Sequence, residues 1–374
     1  MTGAGIATVA RQEFRLRIRA GRWKVLLGIW FLLLVLFTGL LTAALGGLAG
    51  RKVLDEGVVL YGGLVLFVLG LALLVVPALA AQSVNGDRER GTLATLQVSR
   101  LTPGDIALGK FFAAWGTSLA FLALVLPSVV FASTRGGVSL GRVLATTGVL
   151  ALLLGTVCAI ALALSACLSR TTTSGVLAYL SVAGLTLGTL LAFLLVTATT
   201  TEQFSQAPTC PTPADLPAEM SPDQKSMTIS ECQRSSPYTS TRTRTYRTWW
   251  LLAANPFVVL ADAAPQLPPL TPAERRDRQQ RQDRGETVTD ARDVDPLGAI
   301  GRSVRGLRRP PDPLARGAAV YTANRDPSTV EPRGRLVWPT GLAIDLALAA
   351  GSLVLTIRKL RTPSNRLARG QRIA

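Results

Sequence analysis

Residues Gly104–Phe111 read GDIALGKF. They match the phosphate-binding pattern G-x-x-x-x-G-K-[ST] at every position but the last, where Phe111 replaces the hydroxyl that must reach a magnesium ion. Such a loop joins a strand to a helix, whereas these residues open a long apolar run. The sequence therefore assigns the chain no ATPase site of its own. Other chemistry is equally sparse. The chain has no histidine, the commonest general acid–base and metal ligand near neutral pH. No Cys/His spacing suits a metal, and the apolar runs hold no paired carboxylates. Asp345 is the one ionisable residue well inside a predicted membrane span. A carboxylate there costs roughly 3 kcal/mol on insertion scales and is a functional candidate by default. The competing reading is that Asp345 lies in the outer half of its span, pairs with a hydroxyl or arginine, and merely orients the helix.

The elements around these residues are membrane helices. The chain has 374 residues, of which 48% are hydrophobic and 17% charged, and long stretches carry no charge. The fold class expected is an all-α polytopic membrane protein with six transmembrane helices. The spans are Val25–Leu45, Val58–Ala81, Ile106–Ala132, Val143–Leu168, Gly175–Ala198 and Leu336–Ile357. Each approaches or exceeds the ~20 residues that cross a hydrocarbon core. The first run ends in no small-residue cleavage site and reads as a span, not a signal peptide. A seventh run, Trp249–Ala264, is too short and reads as an interfacial or re-entrant piece. Residues 1–24 are expected to form an amphipathic helix in the cytoplasmic interface. There Phe14 and Ile18 make an apolar strip, and Arg11, Arg15 and Arg19 a basic one facing lipid headgroups.

Charge sets the orientation. The net charge is +17, but residues 200–335 hold 19 Lys/Arg against 16 Asp/Glu. Most of the excess lies beside the apolar runs, where it is a topology signal and not a nucleic-acid site. With both termini inside, the inner segments carry 17 Lys/Arg and the short outer loops 4. This predicts cytoplasmic N- and C-termini, with 358–374 a basic cytoplasmic tail. Residues 200–335 are then an extracytoplasmic segment, and much of 265–335 reads as loose chain. Cys210 and Cys232 lie in that segment and form a candidate disulfide. Cys158 and Cys167, in the fourth span, read as small packed residues. Gly175, Gly184 and Gly188 offer close helix contact in the fifth.

Between the second and third spans, residues 82–105 form a charged loop. Asp87, Arg88, Glu89 and Arg90 precede Gly91, Thr92, Leu93 and Leu96, and Leu93, Leu96 and Arg100 share one helical face. A short amphipathic helix and a solvated loop both fit this spacing. Next comes a helix start: Thr102 as cap, Pro103 in the first helical position, and Asp105 three residues after the cap. Lys110 is expected at the cytoplasmic interface, reaching headgroups or an acidic partner group.

Residues 86–110 resemble the cytoplasmic loop of ABC-2 type transporter permeases. The likeness rests on the acidic/basic cluster Asp87–Arg90, the step Gly91-Thr92-Leu93, Leu96, Pro103, and the opening Leu108-Gly109-Lys110. Six spans, a basic interfacial helix, Asn255-Pro256-Phe257 and the basic tail are similar to actinobacterial members of that family. The arginine-rich stretch 265–335 exceeds the family's usual outer loop. The resemblance implies a multi-pass protein of the bacterial plasma membrane that dimerises with a second permease copy, identical or not. It implies a separate ABC ATPase subunit that binds the ATP and magnesium, so that this chain needs no cofactor and does no catalysis. It further implies that residues 86–100 form a coupling helix and that the chain supplies the path of an exporter. The alternative is a non-transporting membrane protein whose extracytoplasmic segment binds a partner.

Overall fold

The structure is a computed structural model. It describes residues 2–19, 21–46, 51–91, 101–206, 216, 220–234, 238–267, 271–284, 287–290, 294–308 and 336–361. Six helical stretches are long and apolar enough to cross a membrane: Trp23–Gly46, Glu56–Glu89, Pro103–Thr134, Leu140–Cys167, Thr171–Thr199 and Trp338–Leu360. The chain is a multi-pass membrane protein. Its helices are α1 (Gly3–Arg19), α2 (Gly21–Gly46), α3 (Glu56–Ala80), α4 (Asn85–Glu89), α5 (Pro103–Ala123), α6 (Leu126–Thr134), α7 (Leu140–Cys167), α8 (Thr171–Ala183) and α9 (Thr189–Thr199). They continue with α10 (Pro222–Arg234), α11 (Pro256–Ala263), α12 (Pro272–Asp283), α13 (Pro296–Leu307) and α14 (Trp338–Leu360). Four short strands, absent from the all-α expectation, pair at the periphery. Arg51–Leu54 runs parallel to Thr287–Asp290, and Thr201–Gln206 antiparallel to Tyr238–Thr243.

The fourth span, α7, is the centre of the bundle. In its apolar window 78% of residues are buried, against 11% in the first and fifth spans. Helices α3, α5, α8, α11 and α14 pack on it. The main core joins α3 and α7 through Tyr61, Leu64, Val68 and Leu69 against Leu150, Leu153, Leu154 and Val157. Helices that are apolar all round, such as α2, are stable only with lipid or protein on every side.

Three departures from the expected spans have physical causes. The third span is not continuous over Ile106–Ala132. It breaks at Leu124 and Val125 because Pro127 opens α6, lacks an N–H, and its ring opposes the carbonyl four residues back. The second and third spans are also longer than expected, at 34 and 32 residues. Each includes a turn, at residues 81–84 in the second and at Leu124 and Val125 in the third, so neither is one straight helix. In the fifth span Gly184–Gly188 forms a π turn between α8 and α9. A Cβ added at Gly175, Gly184 or Gly188 would meet no side chain of another described element.

The segment 265–335, expected to be loose over much of its length, contains two helices. Helix α12 is exposed, but α13 is packed, with Leu297, Gly298, Gly301 and Val304 buried. Asp295 caps it by accepting the Leu297 N–H, and Pro296 takes its first position. The short seventh run becomes a 3₁₀ turn, Trp249–Leu252, followed by α11, both too short to cross. Pro256, Val258, Val259, Leu260, Ala261 and Asp262 of α11 are buried against α7, α13 and α14. It is an internal wedge and not a surface piece.

Candidate functional site

The foot of the third span starts as its residues dictate. Thr102 accepts the Asp105 N–H at 3.2 Å, and Asp105 accepts the Thr102 N–H at 3.0 Å. Pro103 fills a first-turn position that needs no donor. The other Asp105 oxygen accepts the Thr2 N–H at 2.9 Å, which pins the start of α1 to the start of α5. From there the two helices run parallel. Val9 touches Gly109, Glu13 meets Lys110, and Arg17 donates to Thr117 Oγ1 at 3.4 Å and to the Leu79 carbonyl at 3.4 Å.

Gly109 allows the approach. A Cβ there would lie 2.5 Å from the Val9 Cβ and 3.1 Å from the Ile6 carbonyl oxygen. The packed row of α1 is Gly5, Val9, Glu13 and Arg17, a face beside the apolar strip of Phe14 and Ile18, of which Ile18 is exposed. The reason is the opposing face of α5, where Gly109, Lys110 and Thr117 offer space and polar partners in place of an apolar groove. Arg11, Arg15 and Arg19 stay exposed. Burial lowers the Arg17 pKa from its ordinary value, with Glu13 opposing that effect.

Lys110 is the hub. Its side chain is fully buried. The ammonium donates to Glu13 of α1, to Asp87 of α4 and to the Ser83 carbonyl at 2.9 Å. All three of its donors are therefore met within the chain. Of the two expectations for Lys110, headgroups or an acidic partner group, the described contacts are of the second kind, and the acids are Glu13 and Asp87. Gly104–Phe111 is helical along its whole length, and its lysine is already engaged.

A second set of contacts fixes the charged loop to the turn between α7 and α8. Ser165 Oγ accepts the N–H groups of Val84 and Asn85, each at 3.1 Å. Arg88 donates to the Leu168 carbonyl at 3.1 Å, Glu89 accepts the Thr171 N–H at 3.3 Å, and Ser174 donates to the Ala81 carbonyl at 2.8 Å. Asp87 is buried and also binds Arg90, whose own side chain is largely exposed. Gly91 follows with φ +72°, a left-handed turn that glycine adopts without strain. Residues 92–100, with the candidates Thr92, Leu93 and Leu96, lie outside the described residues. Leu360 packs with Val84 and Ile106, so both ends of the described chain share this end of the bundle.

The opposite end holds a different set of charges. Arg142 of α7, fully buried, pairs with Asp295, and Asp262 of α11 accepts Arg305 Nε at 2.6 Å. Asp262 also accepts the N–H groups of Val337 and Trp338 at 2.6 and 2.7 Å, capping α14. Asn255 caps α11 and donates to the Thr186 carbonyl at 2.8 Å and to Thr189 Oγ1 at 2.9 Å, bridging the π turn. Sequence reading missed Arg142, Asp262, Asp295 and Arg305. The available signals were Pro296 after Asp295, and Leu297, Ile300, Gly301 and Val304 spaced as one helical face.

Asp345 is only 1% exposed, on the face of α14 that meets α7. Among the described residues neither carboxylate oxygen has a hydrogen-bond partner, neither the hydroxyl nor the arginine of the competing reading. Cys232 is engaged in a disulfide, whereas Cys158 and Cys167 are free; Cys210 lies outside the described residues. No group of three or more His, Cys, Asp or Glu that could hold a metal occurs among the described residues.

Fold and site together define a six-span membrane protein with one end organised around a buried lysine. No protein-family model, no curated protein and no solved structure matches the chain.

Proposed function

We propose that the chain is the permease subunit of an ATP-driven exporter of the ABC-2 type, moved by a separate ATPase subunit that docks at the Lys110 end. The observation that carries this reading is the junction at Lys110. One buried cation joins α1, the first turn of the charged loop and the foot of the third span. A push on the loop is then transmitted to two spans and an N-terminal helix as one body, as a chain driven from outside requires. The Lys/Arg count supports a cytoplasmic position for that end, which this reading takes to lie at a bacterial plasma membrane. Asp87 belongs to the junction and not to the docking surface; the partner meets Glu89, Arg90, Gly91 and the residues that follow. The ATP and magnesium belong to the partner. The thinly covered first and fifth spans face lipid or a second permease copy.

The reading expects a P-loop ATPase gene beside this one, and the test is co-expression with its product. The two should co-purify, and reversing Glu89 and Arg90 together should cut stimulated ATPase activity several-fold while the protein remains folded. Unchanged transport by that double variant removes the coupling role. For orientation, a membrane-impermeant thiol reagent should spare cysteines placed near residue 95 and label those near 280 in intact cells; the reverse pattern inverts the topology.

The exposure of α12 along nearly its whole length favours a second reading, a non-transporting protein whose outer segment binds a partner. That reading wins if no ATPase co-purifies and the outer segment alone accounts for the captured partner.

A further inference from the structure

We propose that Asp345 is the recognition point for a lipophilic organic cation, the class of cargo this chain would carry; the proposal rests on the permease reading. Asp87, Asp105, Asp262 and Asp295 are also buried carboxylates, and each has hydrogen-bond partners. Asp345 has none on either oxygen. Thr156, on the facing helix, turns its hydroxyl to the main-chain carbonyls of Asp345 and Leu152, each at 3.3 Å, and not to the carboxylate. A carboxyl group in an apolar bundle either holds a proton or meets a cation, and a cation that binds it takes the proton's place.

The described residues do not supply a cation. The buried Lys110 is engaged with Glu13 and Asp87, and Arg142 with Asp295. Arg358 and Lys359 sit at the far end of α14, about 20 Å along the helix at ~1.5 Å per residue. A second copy offers the same set. A metal ion is a poor fit, because calcium or magnesium takes six or more oxygen ligands and no cluster of acids surrounds Asp345.

An organic cation fits the surroundings. A primary ammonium asks for three acceptors, whereas a quaternary or delocalised cation asks for charge and apolar contact alone. Aromatic faces stand on the neighbouring third span. The Trp115 ring lies 3.3–3.7 Å from where a Cβ would sit on Gly155, the residue before Thr156. Its ring stacks with Phe111, and Phe112 completes the cluster. Such faces attract cations by their quadrupole. Entry from the bilayer is short, because Ile344 and Leu346, on either side of Asp345 in sequence, are exposed.

The probe is labelled tetraphenylphosphonium, added to the purified full-length protein in lipid nanodiscs and followed by equilibrium dialysis. Saturable binding is expected, weakened at least tenfold in Asp345→Asn and retained in Asp345→Glu. Equal binding by wild type and Asp345→Asn, or no saturable binding by folded wild type, overturns the proposal. A second measurement needs no variant. Saturating tetraphenylphosphonium should slow labelling of Asp345 by dicyclohexylcarbodiimide, located by peptide mass spectrometry; an unchanged rate also overturns it. Neither measurement uses the ATPase. Normal cation binding without a co-purifying ATPase therefore counts against the permease reading alone, and the converse result counts against this site alone.

Discussion

The two ends of the bundle both use buried charge, yet they use it differently. At one end a single lysine sits between two carboxylates that keep 12% and 20% of their side-chain surface. At the other, Asp262 and Asp295 are sealed, each with an arginine and with main-chain N–H groups of a helix start. The sealed end is built as a fixed lock. The Lys110 end keeps water within reach of its two acids, so those carboxylates are not stranded when the pairs loosen. A machine worked from one end needs that asymmetry.

Four substitutions break or sharpen this contrast. The largest loss is expected for Asp262→Ala, which leaves Arg305 and two N–H groups without their acceptor. Removing one member of such a buried pair costs about 3–5 kcal/mol, read as a lowered melting temperature in detergent. Lys110→Met should cost less, about 2–3 kcal/mol, because Asp87 and Glu13 recover water. It should nevertheless disturb ATPase coupling more than Asp262→Ala at matched folded fraction. If Lys110→Met melts lower than Asp262→Ala, the assignment of lock and loose end is reversed.

Gly109→Val comes next. It drives a side chain into Val9, and overpacking of this kind costs about 1–3 kcal/mol. Proteolysis should then release α1 while the six spans remain intact; unaltered protection of α1 would show that Gly109 does not set the helix contact. The smallest change is Thr102→Ala, worth about 1 kcal/mol through loss of one cap. Its thermal shift should stay below that of Gly109→Val.

The sequence made the six spans legible because apolar length is a property of each run alone. The start at Thr102–Asp105 was legible for the same reason, since its partners are three residues apart. What was not legible is what depends on distance along the chain. Lys110 was read toward headgroups or an acidic partner group left unnamed, because nothing near it in sequence announces Glu13. The lock between Arg142 and Asp295 spans 153 positions, and Asp295 sits in a stretch whose arginines and prolines read as loose chain. Packing of α1 through Gly5 and Val9 was hidden by the more conspicuous strip of Phe14 and Ile18. The resemblance to ABC-2 permeases rests on 86–110, and part of that stretch, 92–100, lies outside the described residues.

The contact between Glu13 and Lys110 also orders events in time. Glu13 leaves the ribosome 97 residues before its cation exists, and chains are made and folded from the N-terminus. Until the third span is delivered, α1 carries its arginines and a solvated acid with no place to dock. Closure of the junction thus waits for the third span and can precede synthesis of the remaining spans. Chains truncated before Lys110 should expose α1 to protease, and those extended past Thr117 should begin to protect it.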